Sequence, residues 1–149
     1  MFVSTDLKLN EVSDSSELYA ALRFAKGMIY LCKEVDITDN GNGVRCHMPR
    51  ILIQSFEMGC YMSYQHDLNG ICYRYKAIGD KNDPNHFTIN ERDAEGMRFP
   101  KSLLVSQEKT LKCAEEFMRL MDSPDFGADI ELPGCIEWVG KNIIKDKKT

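Results

Sequence analysis

Long apolar runs are missing from this 149-residue chain. The longest, such as Ile51-Leu52-Ile53, fall far short of the roughly 20 residues a helix needs to cross a bilayer. The opening residues Met1 to Asp6 lack a basic region followed by an apolar stretch, so no secretory signal is read there and a cytoplasmic protein is expected. No two of the six cysteines (Cys32, Cys46, Cys60, Cys72, Cys113, Cys135) lie nearer than 12 positions, which removes the CxxC pattern of zinc knuckles and redox motifs. Without a secretory signal, these cysteines are expected to be reduced thiols used as small apolar residues. Gly41-Asn42-Gly43 lacks the rest of either phosphate-loop pattern. No histidine has a second ligand three or four positions away on a helix, so neither a metal nor another cofactor is expected.

What is present describes a folded body. Hydrophobic residues make up 43% of the chain and charged residues 28%, both near the globular average. The length suits one domain, taken as residues 1–140, with 141–149 as a polar basic tail. The net charge of −4 is uneven. Residues 1–79 carry 8 basic and 9 acidic side chains, residues 80–137 carry 7 and 13, and residues 138–149 carry 4 and 1. An acidic middle argues against direct nucleic-acid binding, which needs cations to displace counterions. It suits a basic protein partner through electrostatic steering.

Periodicity predicts helices and strands in an α+β order. Asp14 can cap a helix over about 15–26, with Glu17 as in a capping box and Leu18, Ala21, Leu22 and Ala25 on one face. Met28 to Val35 reads as a strand, the turn Asp39 to Gly43 as a hairpin, and Val44 to Met48 as the returning strand. Ile51 to Phe56, Cys60 to Tyr64 and Gly70 to Lys76 read as further strands, with Asn69-Gly70 marking a hairpin. Tyr73 and Tyr75 share one face there, and Arg74 and Lys76 point the other way, so one face of an antiparallel sheet looks solvated. Residues 79–97 have loop composition, broken by Phe87-Thr88-Ile89. Ser106 caps a second helix with a stripe of Leu111, Ala114, Phe117, Met118 and Met121, and Cys135 to Val139 is a last strand. The expected fold is an antiparallel sheet with two main helices packed on one face.

Few residues suggest chemistry. Cys46-His47 is the only adjacent thiol and imidazole, but neighbours on a strand point to opposite faces. A cysteine nucleophile would need His66 or His86 brought to it. Glu115-Glu116 diverge by about 100° on a helix and are read as solvated. No catalytic constellation assembles, and binding is the expected role.

The C-terminal half carries a further pattern: the strand Gly70 to Tyr75, a variable polar loop, Phe99-Pro100, the capped helix Ser106 to Met121 containing Glu116-Phe117, then Pro133 and Ile136-Glu137-Trp138. This arrangement resembles the bacterial immunity proteins of immunity family one, from polymorphic toxin systems, over roughly 70 residues. The segment Asp122 to Gly134 is longer than that pattern expects, and the six cysteines are no mark of it. The resemblance implies an antitoxin, not an enzyme, that binds the toxic C-terminal domain of a cognate protein, often a deaminase or nuclease, and occludes its active site. Asp80, Asp83, Glu91, Asp93 and Glu95, in the most irregular loop, are the expected contacts for a basic toxin. Phe99, Phe117 and Trp138 are read as core. A small enzyme or ligand-binding module using Cys46, His66 or His86 stays open as the alternative. A pocket joining a cysteine to a histidine would favour it.

Overall fold

The computed structural model describes residues 1–6, 8–23, 27–38, 43–89 and 96–142, the side chains of 141 and 142 excepted. Helix α1 runs Ser15–Arg23, and α2 runs Gln107–Leu120. Both begin where a side chain takes up a free helical amide: Asp14 Oδ1 accepts from Glu17 N at 2.8 Å, and Ser106 Oγ from Lys109 N at 3.2 Å. Among the described residues no helix is long and apolar enough to cross a membrane.

The strands are β1 Phe2–Ser4, β2 Leu9–Glu11, β3 Gly27–Cys32, β4 Val35–Ile37, β5 Val44–Cys46, β6 Arg50–Phe56, β7 Gly59–Leu68, β8 Ile71–Ile78, β9 His86–Thr88, β10 Arg98–Pro100 and β11 Glu137–Asn142. Seven form one antiparallel sheet in the order β11-β8-β7-β6-β3-β1-β2. The other four make two separate hairpins, β4–β5 and β9–β10. The result is α+β, as the periodicity predicted.

The meander β6–β7–β8 supplies the centre. Its second turn is Asn69-Gly70, both at positive φ (53° and 77°), which matches the twist of the strands it joins. Alternation then sorts side chains onto two faces. One face stacks Trp138, Ala77, Met62, Ile53 and Ile29 in one cross-strand row, and Tyr75, Tyr64, Ile51, Leu31 and Val3 in the next. Leu18 of α1 and Cys113, Ala114 and Phe117 of α2 close over these rows as one core. Tyr64 sits at its centre, edge-on to Tyr75, Phe117 and Trp138. The segment after α2 packs on the same side. Phe126 lies against Phe117, the Trp138 indole donates to Pro133 O at 2.8 Å, and Glu116 accepts from Gly134 N at 2.7 Å. Thirteen residues from Asp122 to Gly134 thus have a structural use.

Several expectations change. The stretch Met28 to Val35 divides after Cys32, and its first part pairs with β6 and β1 rather than with the strand that follows the turn. The first dozen residues, given no element above, add two strands, β1 beside β3 and β2 at the edge of the sheet. Phe87-Thr88 belongs to a hairpin, because it pairs with Arg98 to Pro100. Phe99 is not part of the helix-side core: with Phe56, Phe87 and Tyr61 it forms an aromatic cluster on the opposite face. The last strand reaches Asn142, two residues beyond the expected end of the body at 140. Residues 143–149, the rest of the expected tail, lie outside the described residues, as do 24–26 of the first helix and 39–42 of the first turn.

Candidate binding surface and the cysteine–histidine cluster

The face opposite the helices holds the side chains that alternation turns away from the core. Its middle row runs Ser4, Tyr30, Leu52, Ser63, Lys76, Val139. A neighbouring row runs Phe2, Cys32, Arg50, Gln65, Arg74. Arg50 is built into place: its guanidinium lies 5.0 Å from the Tyr30 ring centroid, its Nε donates to Gln65 Oε1 at 2.9 Å, and its Nη1 donates to Cys46 O at 3.2 Å. Arg74 stands 3.5 Å from Asp67. The solvated face predicted from Arg74 and Lys76 is this one.

Two hairpins bound the face. At one end β9–β10 lays Phe87 and Phe99 on Phe56 and Tyr61. At the other, β4–β5 lies over Cys32, and its cross-strand pair Ile37 and Val44 is exposed to 65% and 39%. Between them Tyr30, Leu52, Gln54 and Gln65 are half-buried, with Lys76 and Val139 exposed. An antiparallel sheet tolerates one wet face when that face is polar. Here aromatic and aliphatic groups are mixed among the cations.

Two of the five acidic candidates lie next to the β9–β10 hairpin. Asp80 and Asp83 lie in the loop that leaves β8 for β9. Each carboxylate closes a local turn, Asp80 Oδ1 accepting from Asn82 N at 3.0 Å and Asp83 Oδ1 from Asn85 N at 2.9 Å. The loop is anchored at both ends, by Gly79 N donating to Ser102 O (2.8 Å) and Lys101 N to Asn85 O (2.9 Å). A Cβ on Gly79 would stand 1.8 Å from Leu104 O, so this close approach requires glycine. Glu91, Asp93 and Glu95 lie outside the described residues.

The described cysteine and histidine candidates point in different directions. His47 Nε2 stands 2.8 Å from Asp36 Oδ2, across the β4–β5 hairpin. Cys46, the preceding residue, turns inward to the Cys32 thiol and the Ser4 hydroxyl. The Asp–His pair therefore points away from the thiol it would need to deprotonate. His66 is buried elsewhere, bonded through Nε2 to Gly127 O at 2.9 Å, with Nδ1 lacking a hydrogen-bond partner. His86 is exposed at the start of β9. A cleft of about 240 Å³ touches His47, Met48, Pro49, Lys33, Glu34, Phe126 and Gly127, and neither Cys46 nor His66 lines it. A cavity of about 320 Å³ between the helices and the sheet includes Cys60, Tyr19 and Thr110 in its lining but no histidine. Among the described residues, no three His, Cys, Asp or Glu side chains converge to hold a metal ion.

Glu115 and Glu116, expected to be solvated, lie half-exposed at the surface and also fasten elements to one another. Glu115 accepts from Tyr19 Oη at 2.5 Å and from Arg119 Nη1 at 2.7 Å, joining α2 to α1. These bonds, Tyr19 first, hold its carboxyl below the ordinary carboxylate value. Desolvation alone would raise the Glu116 carboxyl, but the amides of Gly134 and Cys135 and the Cys135 thiol outweigh it and hold the group low.

Sequence reasoning missed the Cys32–Cys46 contact. The available signal was the strong turn at 39–43 between them, which returns the chain toward its starting strand. It also missed the hydrophobic content of the open face, because strand register decides which residues share a row. No protein-family model matches the chain, and no curated protein sequence matches it.

Proposed function

We propose that this protein is an immunity protein that binds a cognate toxin domain and blocks its active site by occlusion, without chemistry of its own. The observation that carries this reading is the sheet face left uncovered by helices, framed by two hairpins and rimmed by the Asp80–Asp83 loop. Such a face offers apolar area for contact, and the adjacent carboxylates suit a basic partner. The C-terminal strand–helix–strand resemblance to immunity proteins of polymorphic toxin systems supplies the class of partner: a toxin acting on nucleic acid, whose own substrate groove is basic. Placement in the cytoplasm follows from the same reading, since such a toxin acts there.

The test is titration calorimetry of this chain with a catalytically inactivated toxin domain encoded beside its gene. One-to-one binding with Kd below about 100 nM, and loss of toxin activity on mixing, is the expected result. Absence of binding at micromolar concentration overturns the reading. With binding in hand, Asp80→Arg plus Asp83→Arg should lower the association rate roughly tenfold and weaken its salt dependence. An unchanged rate would move the contact off the acidic rim and onto the open face alone.

A further inference from the structure

Cys32 and Cys46 come from different strands and meet where the β4–β5 hairpin lies on the open face. Register sets Cys32 between Phe2 and Arg50. Arg50 Nη1 holds the Cys46 carbonyl at 3.2 Å, which fixes the end of β5 above β3. The two thiols are hydrogen-bonded to each other.

The pair is asymmetric. Cys46 keeps 6% exposure and Cys32 none. The groups that act on Cys46 are Cys32 on β3, Arg50 on β6, Ser4 on β1 and His47, the next residue in the chain, while β4 sets the apolar Val35 opposite it. A hydrogen bond from the Cys32 thiol, with the Arg50 charge and the Ser4 hydroxyl, holds the Cys46 thiol below the ordinary thiol value against the opposing effect of burial. Cys32 is pushed up, first by its bond to Cys46 and then by burial.

We propose that Cys46 and Cys32 form a thiol modification site, in which Cys46 meets a small two-electron oxidant of the peroxide class and Cys32 closes a disulfide. The Cys46 thiolate attacks one peroxide oxygen, the O–O bond breaks, and an S–O bond forms. The departing hydroxide takes a proton to become water. The Cys32 sulfur then attacks the sulfenic sulfur, an S–S bond forms, and the S–O bond breaks. The second hydroxide takes the Cys32 proton. Two thiols are oxidised and one peroxide is reduced to two waters. Conversion of Cys46 to an uncharged sulfenic acid removes the charge that kept Cys32 protonated, so the first step prepares the second. The disulfide would tie the β4–β5 hairpin covalently to the sheet. This site stands independently of the toxin-binding reading.

The 149-residue chain, fully reduced, is treated with hydrogen peroxide near neutral pH, its remaining thiols are blocked with iodoacetamide, and its peptides are mapped by mass spectrometry. The expected first product joins Cys32 to Cys46, is reversed by dithiothreitol, and leaves Cys113 and Cys135 alkylated. In Cys32→Ser, dimedone should capture a sulfenic acid on Cys46. A first cross-link between Cys113 and Cys135, dimedone on Cys135 ahead of Cys46, or no oxidation at Cys46 would overturn the proposal. Should the serine variant fold poorly, the unmutated chain still decides through its peptide map and through alkylation of Cys46 against pH. An inflection below the ordinary thiol value of about 8.5 is expected, and one at or above it overturns the proposal.

Discussion

The two faces of the seven-stranded sheet use the same strands for opposite ends. On one, Ile51, Ile53, Met62 and Tyr64 are at most 1% exposed beneath two helices and the segment that follows them. On the other, their chain neighbours Leu52, Gln54 and Gln65 are half-buried, with neither α1 nor α2 above them. A one-residue alternation therefore separates stability from availability. The cysteines repeat the contrast. The Cys113 and Cys135 thiols, on the helix side, are both raised, chiefly by desolvation, and the Glu116 carboxylate adds to this at Cys135. Cys46, on the open side beside Arg50, is lowered. At Cys46 the hydrogen bond from the Cys32 thiol, followed by the Arg50 charge, overcomes burial, whereas at Cys135 desolvation leads although that thiol is the more exposed.

Substitutions can break this comparison. Phe117→Ala should produce the largest effect, about 3–5 kcal/mol of lost stability in urea denaturation, because a fully buried ring leaves a cavity. Phe99→Ala, on the open side, should lose only about 1–2 kcal/mol, since its ring is half-buried. Equal losses at the two positions would mean that the aromatic cluster under β9–β10 is a second core and that the face is not open. Glu116→Gln should lose about 1 kcal/mol through its bonds to Gly134 and Cys135. Its native carboxyl is held below the ordinary value, so its stabilisation is complete above the unfolded carboxylate value and disappears as pH falls through the folded one. The variant should accordingly lose less stability than the parent chain when pH is taken from neutral down through the ordinary carboxylate range. Lys76→Ala should be smallest, within about 0.5 kcal/mol, and a larger loss would show that the exposed row is structural.

Local signals carried much of the architecture. Asp14 and Ser106 announced both helix starts because capping is a short-range hydrogen bond, and Asn69-Gly70 announced its turn because left-handed backbone selects those residue types. Long-range pairing was not legible. Nothing near Phe2-Val3-Ser4 says that it pairs with Tyr30 to Cys32, and three-residue strands carry too little alternation to declare themselves. Phe99 was misplaced because an aromatic reads as buried without saying on which side of the sheet. The fastening role of Glu115 and Glu116 was not legible because their partners lie on α1 and beyond α2. At the candidate surface, Asp80 is exposed and Asp83 half-buried, both in the loop that their composition suggested. The row of Tyr30, Leu52, Lys76 and Val139 required the register.

The sheet order also implies a sequence of assembly. The central meander closes through tight turns between Arg50 and Ile78, so its contacts form at small entropic expense. The outer strands must travel: β3 returns across the β4–β5 hairpin to reach β6, and β11 reaches β8 only after α2 and the segment behind it are in place. Growth should therefore proceed outward from β7, with β11 docking among the last events. The late arrival of Trp138 on that strand would then act as a check that the core has already settled, since its ring meets Tyr64 only there.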